Sequence, residues 1–217
     1  MLAKLKTRAV GVAALLLLSL GFSNAAFAGP TAAAAPGPEV SMVPTKPPGA
    51  EGNASFPDSD TSWSPDARFL VKNASNVDPK FPYSIFLIDM KTGTKTLLCQ
   101  YARKADILWS SASDALVVND WGSGDDGQST LFRILPHQAR WDLREELMKS
   151  KRPDAEKSLA DNRQLYDHNF AHVIKWQNAH SVLFEIEGYS SDQKHKFVLQ
   201  YVYGVGDSFH LKKRVAN

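Results

Sequence analysis

Residues 63–71 read Trp63-Ser64-Pro65-Asp66-Ala67-Arg68-Phe69-Leu70-Val71. A tryptophan is followed by a short polar turn and then by a tight apolar strand. Pro65 presets the backbone angle that a turn needs, and Asp66 can accept backbone N–H groups just beyond it. Phe69 to Val71 have the aromatic and branched character of a strand. The same order recurs at Trp109 with Leu116-Val117-Val118, and at Trp176 with Val182-Leu183-Phe184. Trp63 and Trp109 lie 46 residues apart, and Trp109 and Trp176 lie 67 apart. A period of about 45 residues is that of one propeller blade, roughly four short antiparallel strands. The extra length before Trp176 matches an insertion.

The first copy resembles the W-S-P-D-G-R-x-L-x signature of the WD40-like, TolB-type β-propeller repeat. In that family a later strand ends in a D-x-x-T-G turn, and Ile85-Phe86-Leu87-Ile88-Asp89-Met90-Lys91-Thr92-Gly93 matches it, with Asp89 and Gly93 at the turn positions. The resemblance assigns structural roles to Trp63, Ser64, Pro65, Asp66, Asp89, Gly93, Trp109 and Trp176. Ala67 stands where glycine is usual, so a different turn type or a strained residue is expected there. Trp109-Ser110 keeps the tryptophan and serine but loses Pro-Asp-Gly, and the copy at Trp176 keeps only the outline.

Strands are expected at 67–73, 83–90, 94–100, 105–109, 115–120, 129–135, 171–176, 181–187, 196–203 and 208–214. Close spacing with few helices between them implies antiparallel meanders. Residues 138–166 carry helix signals: Trp141, Leu143, Leu147 and Met148 at near-helical spacing, then a second helix starting at Pro153 with Asp154 and Glu156 in its first turn. The fold class is therefore mainly β, with antiparallel propeller-like blades and a helical insertion. Closed propellers have about four to eight blades. This chain has room for three, so the propeller is expected to be incomplete or open. Its exposed sheet edges would invite a protein partner or self-association, with the helical pair capping one edge.

The chain ends bound the cellular setting. Lys4, Lys6 and Arg8, an apolar stretch from Ala9 to Leu20, and Ala26-Phe27-Ala28 read as a signal peptide over residues 1–28. Periplasmic or secreted localisation follows, with no stable membrane insertion after cleavage. Residues 29–61, rich in proline and alanine, read as a disordered linker, and 62–217 as the propeller-like domain. Of 25 basic residues against 23 acidic ones, three basic residues belong to the signal, which leaves a slight acidic excess. Such a balance argues against a nucleic-acid partner. Cys99 is the single cysteine and sits in an apolar strand, as a buried structural thiol would.

The ligand candidates lie in one loop, Asp120-Trp121-Gly122-Ser123-Gly124-Asp125-Asp126-Gly127. Asp120, Asp125 and Asp126 supply oxygens of the type that wraps Ca²⁺, although the loop does not match an EF-hand. Trp121 would mark an exposed binding surface. His168 and His172 share a face if helical, but no third metal ligand is evident beside them. Glu185 and Glu187 share a strand face, read as solvent-facing. No nucleophile motif is present, and no catalytic residue, metal or cofactor is expected. The reading is an exported, non-enzymatic binding or scaffold domain, for which the resemblance implies protein–protein contacts in the bacterial cell envelope. The alternative is a small secreted hydrolase or carbohydrate-binding protein using the Asp120–Asp126 loop.

Overall fold

A computed structural model describes Lys46, residues 52–122, 124–150, Lys157 and 166–215. The expected signal peptide, most of the linker and the expected helix at Pro153 lie outside the described residues. The elements are β1 (Ala54–Phe56), β2 (Thr61–Trp63), β3 (Phe69–Ser75), β4 (Tyr83–Asp89), β5 (Lys95–Tyr101), β6 (Ala105–Trp109), β7 (Ala115–Asp120), β8 (Asp126–Arg133), β9 (Ala139–Asp142), α1 (Leu143–Lys149), β10 (His168–Asn178), β11 (Ser181–Tyr189), β12 (Lys196–Val205) and β13 (Phe209–Val215). The protein is mainly β, built of antiparallel blades, and open rather than closed.

One sheet runs β2-β3-β4-β5, the first blade. The other runs β1-β6-β7-β8-β10-β11-β12-β13, with β9 also on β8. It holds a second blade (β6 to β9) and a third (β10 to β13), joined by a short parallel step that aligns Asn169 with Asp126 and Phe170 with Gly127. That step departs from the expected all-antiparallel meander. Parallel neighbours need a long crossover, and the stretch between β9 and β10 supplies one.

The middle blade is apolar on both faces. Along β7, Leu116 and Val118 pack with Phe69, Val71, Ile85 and Leu87 of the first blade. Val117 and, on β8, Leu131 pack with Val173, Phe184, Ile186 and Tyr201 of the third. This is why Ala115 to Asn119 is buried without interruption, where a one-sided strand would alternate. Each fully buried side chain of this kind contributes about 1.5–3 kcal/mol.

Two expected boundaries shift. The linker gives way to ordered sheet before residue 61. Ala54–Phe56 pairs with β6 and Phe56 is fully buried, so one aromatic anchor outweighs the turn-rich composition around it. The helical insertion starts at 143, not 138. Arg133 pairs with Ala139 and Leu131 with Trp141, which makes residues 139–142 a strand. Asp142 then caps α1 by accepting the Glu145 N–H at 3.0 Å. Leu143 and Leu147, one turn apart, enter the core between the second and third blades. Thus α1 fills a core and does not cap an outer edge.

Trp63 and Trp109 end their strands and Trp176 lies two residues before the end of its own; the two later tryptophans tie their blades to the preceding one. Trp109 Nε1 donates to Ser62 Oγ at 2.9 Å, and Trp176 Nε1 donates to Leu108 O at 3.0 Å. In both cases the acceptor residue immediately precedes the tryptophan of the preceding blade. The turn after Trp63 is strained as expected, with Ala67 at φ 60°. Asp66 Oδ1 accepts the Arg68 N–H at 3.1 Å, and Ser64 Oγ accepts the Phe69 N–H at 3.0 Å. Ser113, at the matching place of the second copy, has φ 61°. The same turn recurs without a tryptophan between β11 and β12. There Gln193 has φ 57°, Asp192 Oδ1 accepts the Lys194 N–H at 3.1 Å, and Ser190 Oγ accepts the His195 N–H at 3.1 Å.

Trp109→Phe removes a buried hydrogen bond and packing volume, and should destabilise the protein by about 2–4 kcal/mol in urea unfolding. Trp176→Phe, at a half-buried site, should cost about half as much. Ala67→Gly should relieve left-handed strain and raise the stability measured by urea unfolding by about 0.5–1 kcal/mol after the entropy of glycine is offset.

Candidate functional site

The first strands of the second and third blades, together with β1, surround a cleft of about 540 Å³. Its walls include Ser55, Lys104, Asp106, Asn119, Trp121 and His172. Side chains alternate along β10, so His168, Phe170 and His172 share one face while Ala171 and Val173 enter the core on the other. The register with β11 places Tyr189, Glu187 and Glu185 opposite those three residues in turn.

Trp121 leaves the end of β7 and lies across this face. Its Nε1 donates to Asp106 Oδ2 at 2.6 Å, and its ring is 5.0 Å from His172 and 5.9 Å from Phe170. Asp106 is held in turn by Ser55 Oγ at 2.5 Å and Lys104 Nζ at 3.5 Å. Gly127 lets the rings pack closely: a Cβ there would lie 3.0 Å from Phe170 Cδ1 and 3.2 Å from Trp121 Cε3, so both rings would have to shift by a few tenths of an ångström. Trp121 is thus a half-buried wall of the cleft, braced by a carboxylate and by two rings.

The backbone of β10 is docked by side chains. Asn119, only 3% exposed, donates from Nδ2 to Val173 O at 2.9 Å and accepts the Val173 N–H on Oδ1 at 3.0 Å. Ser129 Oγ donates to the same Oδ1 at 2.5 Å. A side-chain amide here supplies pairing that a strand neighbour would give, so these buried polar groups are satisfied.

The three acids of the loop go to different places. Asp125 Oδ1 lies 3.1 Å from His168 Nδ1, and the His168 ring stacks on Tyr189 at 4.4 Å. Asp126 is the first residue of β8, 3.3 Å from Arg144 Nη2, which also donates to Asn169 O at 3.1 Å. These two carboxylates join β8 to β10 and α1. Asp120 Oδ1 is buried and has no hydrogen-bond partner. Burial pushes its pKa up to about 6, against the lowering effect of the Gly122 N–H and with added repulsion from Asp126. Cys99 matches the expectation of an inert thiol, since burial pushes its pKa up to about 12.

His172 meets carboxylates that sequence spacing did not place beside it. Its Nε2 is 3.6 Å from Glu185 Oε1, and Gln200 Nε2 donates to Glu185 Oε2 at 2.6 Å. Burial lowers the imidazole pKa, while the charges of Glu185, Glu187 and Asp106 oppose that shift. Glu185 and Glu187 do share a face, but Glu185 is only 15% exposed, so the face is not a solvated one. Counting back from the Asn178–Ser181 hairpin would not have found this pairing, because irregularities between Val173 and Lys175 and between Trp176 and Asn178 shift the register before His172 meets Glu185.

A second concavity, about 310 Å³, lies between β5 and the β8–β9 hairpin. Leu87, Leu97, Leu98, Phe132 and Ile134 line it, with Arg140 at its rim over the Phe132 ring. Leu97 is 52% exposed, and β5 ends its sheet.

No family model matches the chain, and no curated protein matches it. Among solved structures it is similar to one described as a TolB from Agrobacterium tumefaciens, with a TM-score of 0.33 and 14% identity, over 69% of this chain and 46% of that one. The chain therefore spans under half the length of that protein. Among the described residues, no helix is long and apolar enough to cross a membrane.

The raised Asp120 pKa has a defined effect on stability. The folded state holds the Asp120 proton more tightly than the unfolded chain, so this group's contribution to stability is full below pH 3.8 and is lost as pH rises to about 6. Asp120→Asn should be more stable than the parent at pH 7, by on the order of 1 kcal/mol after solvent screening, with the difference closing toward pH 4. Thermal midpoints at the two pH values measure this.

Proposed function

We propose that this chain is an exported, non-catalytic binding domain of the bacterial cell envelope that grips another protein at the open outer edge of the first blade. Export rests on the signal-peptide pattern of residues 1–28. The observation that supports protein binding is the β5 edge. It borders an apolar groove, carries a half-exposed Leu97, and ends a sheet whose next strand position is vacant among the described residues.

An extended segment added to β5 would pair with backbone groups and place alternate side chains in the groove. Arg140 at the rim and Lys95 on β5 favour a segment with acidic flanks. The groove walls come from two blades, so the fold holds them in register before a partner arrives. The acidic loop supports the hydrolase alternative less well, because Asp125 and Asp126 already serve His168 and Arg144.

A photo-crosslinking residue at position 138, an exposed residue of the same groove, should capture a discrete protein from an envelope fraction. Leu97→Asp should weaken that capture at least about tenfold while leaving the unfolding stability within about 0.5 kcal/mol of the parent. An adduct of twice the chain mass would identify the partner as a second copy. Capture that is indifferent to Leu97→Asp would refute the edge as the binding surface.

A further inference from the structure

We propose that His172, Glu185 and Glu187 form a binding site for one divalent transition-metal ion, of the zinc or manganese type. Each offers a ligand atom, and the three atoms lie within 4.8 Å of one another. The site is separate from the β5 groove and does not depend on the function proposed for it.

Three features of the fold favour an ion over a simple ion pair. The first is geometry. Two ligands on a tetrahedral ion with bonds of about 2.0–2.1 Å lie about 3.4 Å apart. His172 Nε2 and Glu185 Oε1 are 3.6 Å apart, too long for a hydrogen bond and close to that edge. Glu187 adds a second carboxylate from the same face of β11, two residues along.

The second is enclosure. The His172 and Glu185 side chains are 16% and 15% exposed. Holding two carboxylates beside a half-buried imidazole is costly unless a cation neutralises them.

The third is support and access. Gln200 holds Glu185 Oε2 and leaves Oε1 turned to His172, as outer hydrogen bonds commonly orient metal ligands. Trp121 covers one side of the imidazole, and His172 opens onto the cleft, which leaves room for solvent or an exogenous group as a fourth ligand. One imidazole with two carboxylates suits first-row transition ions better than the all-oxygen preference of Ca²⁺ or Mg²⁺.

The test is calorimetric titration of the full chain, stripped with EDTA, with ZnCl₂, MnCl₂ and CaCl₂. One zinc or manganese ion per chain should bind, calcium should bind far more weakly, and the thermal midpoint should rise with the bound ion. Glu187→Gln and His172→Gln should each weaken binding by about ten- to a hundredfold, and His168→Gln should leave it unchanged. Circular dichroism establishes that each variant is folded. Should His172→Gln fail to fold, Glu185→Gln and Glu187→Asp carry the same comparison. X-ray absorption of the zinc complex should show one nitrogen among oxygen ligands. No uptake of either ion, or uptake equal in the parent and folded Glu185→Gln and Glu187→Gln variants, would overturn the site.

Discussion

A blade with apolar side chains on both faces cannot stand in water, and the middle blade of this protein is of that kind. Leu116 and Val118 point to one neighbour, and Val117 and Leu131 to the other. Burial of both faces requires a blade on each side. The stacking order of the fold, and the clefts between the first strands, follow from that requirement. The outer blades have no such requirement on their far faces, which is why the assembly can remain open.

The tryptophans make the stacking directional. Each of the two later copies donates its indole N–H to the residue just before the preceding copy's tryptophan. The motif turns themselves are local devices of serine, aspartate and one left-handed residue. Their recurrence at Ser190 to His195, without a tryptophan, separates the two jobs: the turn reverses a chain anywhere in a blade, while the indole fixes a blade beside its neighbour.

Much of the β framework was legible from residue pattern. All ten expected strands exist, with ends displaced by a few residues, because alternation and turn chemistry act over short spans. The three short strands 54–56, 61–63 and 139–142 were not legible. Their residues carry little periodicity, and they are strands because partners elsewhere pair with them. The candidate site divides the same way. Trp121 and the three acids were found as a loop, yet that loop is split between a half-buried wall, a carboxylate with one buried unpartnered oxygen and two ion pairs. Asp106 and Asn119 were missed, since nothing near them in sequence signals the groups they hold.

From sequence alone came the blade period, the strained turn at Ala67, the inert thiol of Cys99 and the shared face of Glu185 and Glu187. Each depends on residues within a few positions of one another, where chain geometry limits the outcomes. Only the tertiary structure decided that the second and third blades join by a parallel step, that α1 fills a core, and that His172 faces two glutamates. Those outcomes depend on hairpin register and blade docking. A strand shifted by one residue would turn its side chains to the opposite face, so no reading of separate segments could assign them.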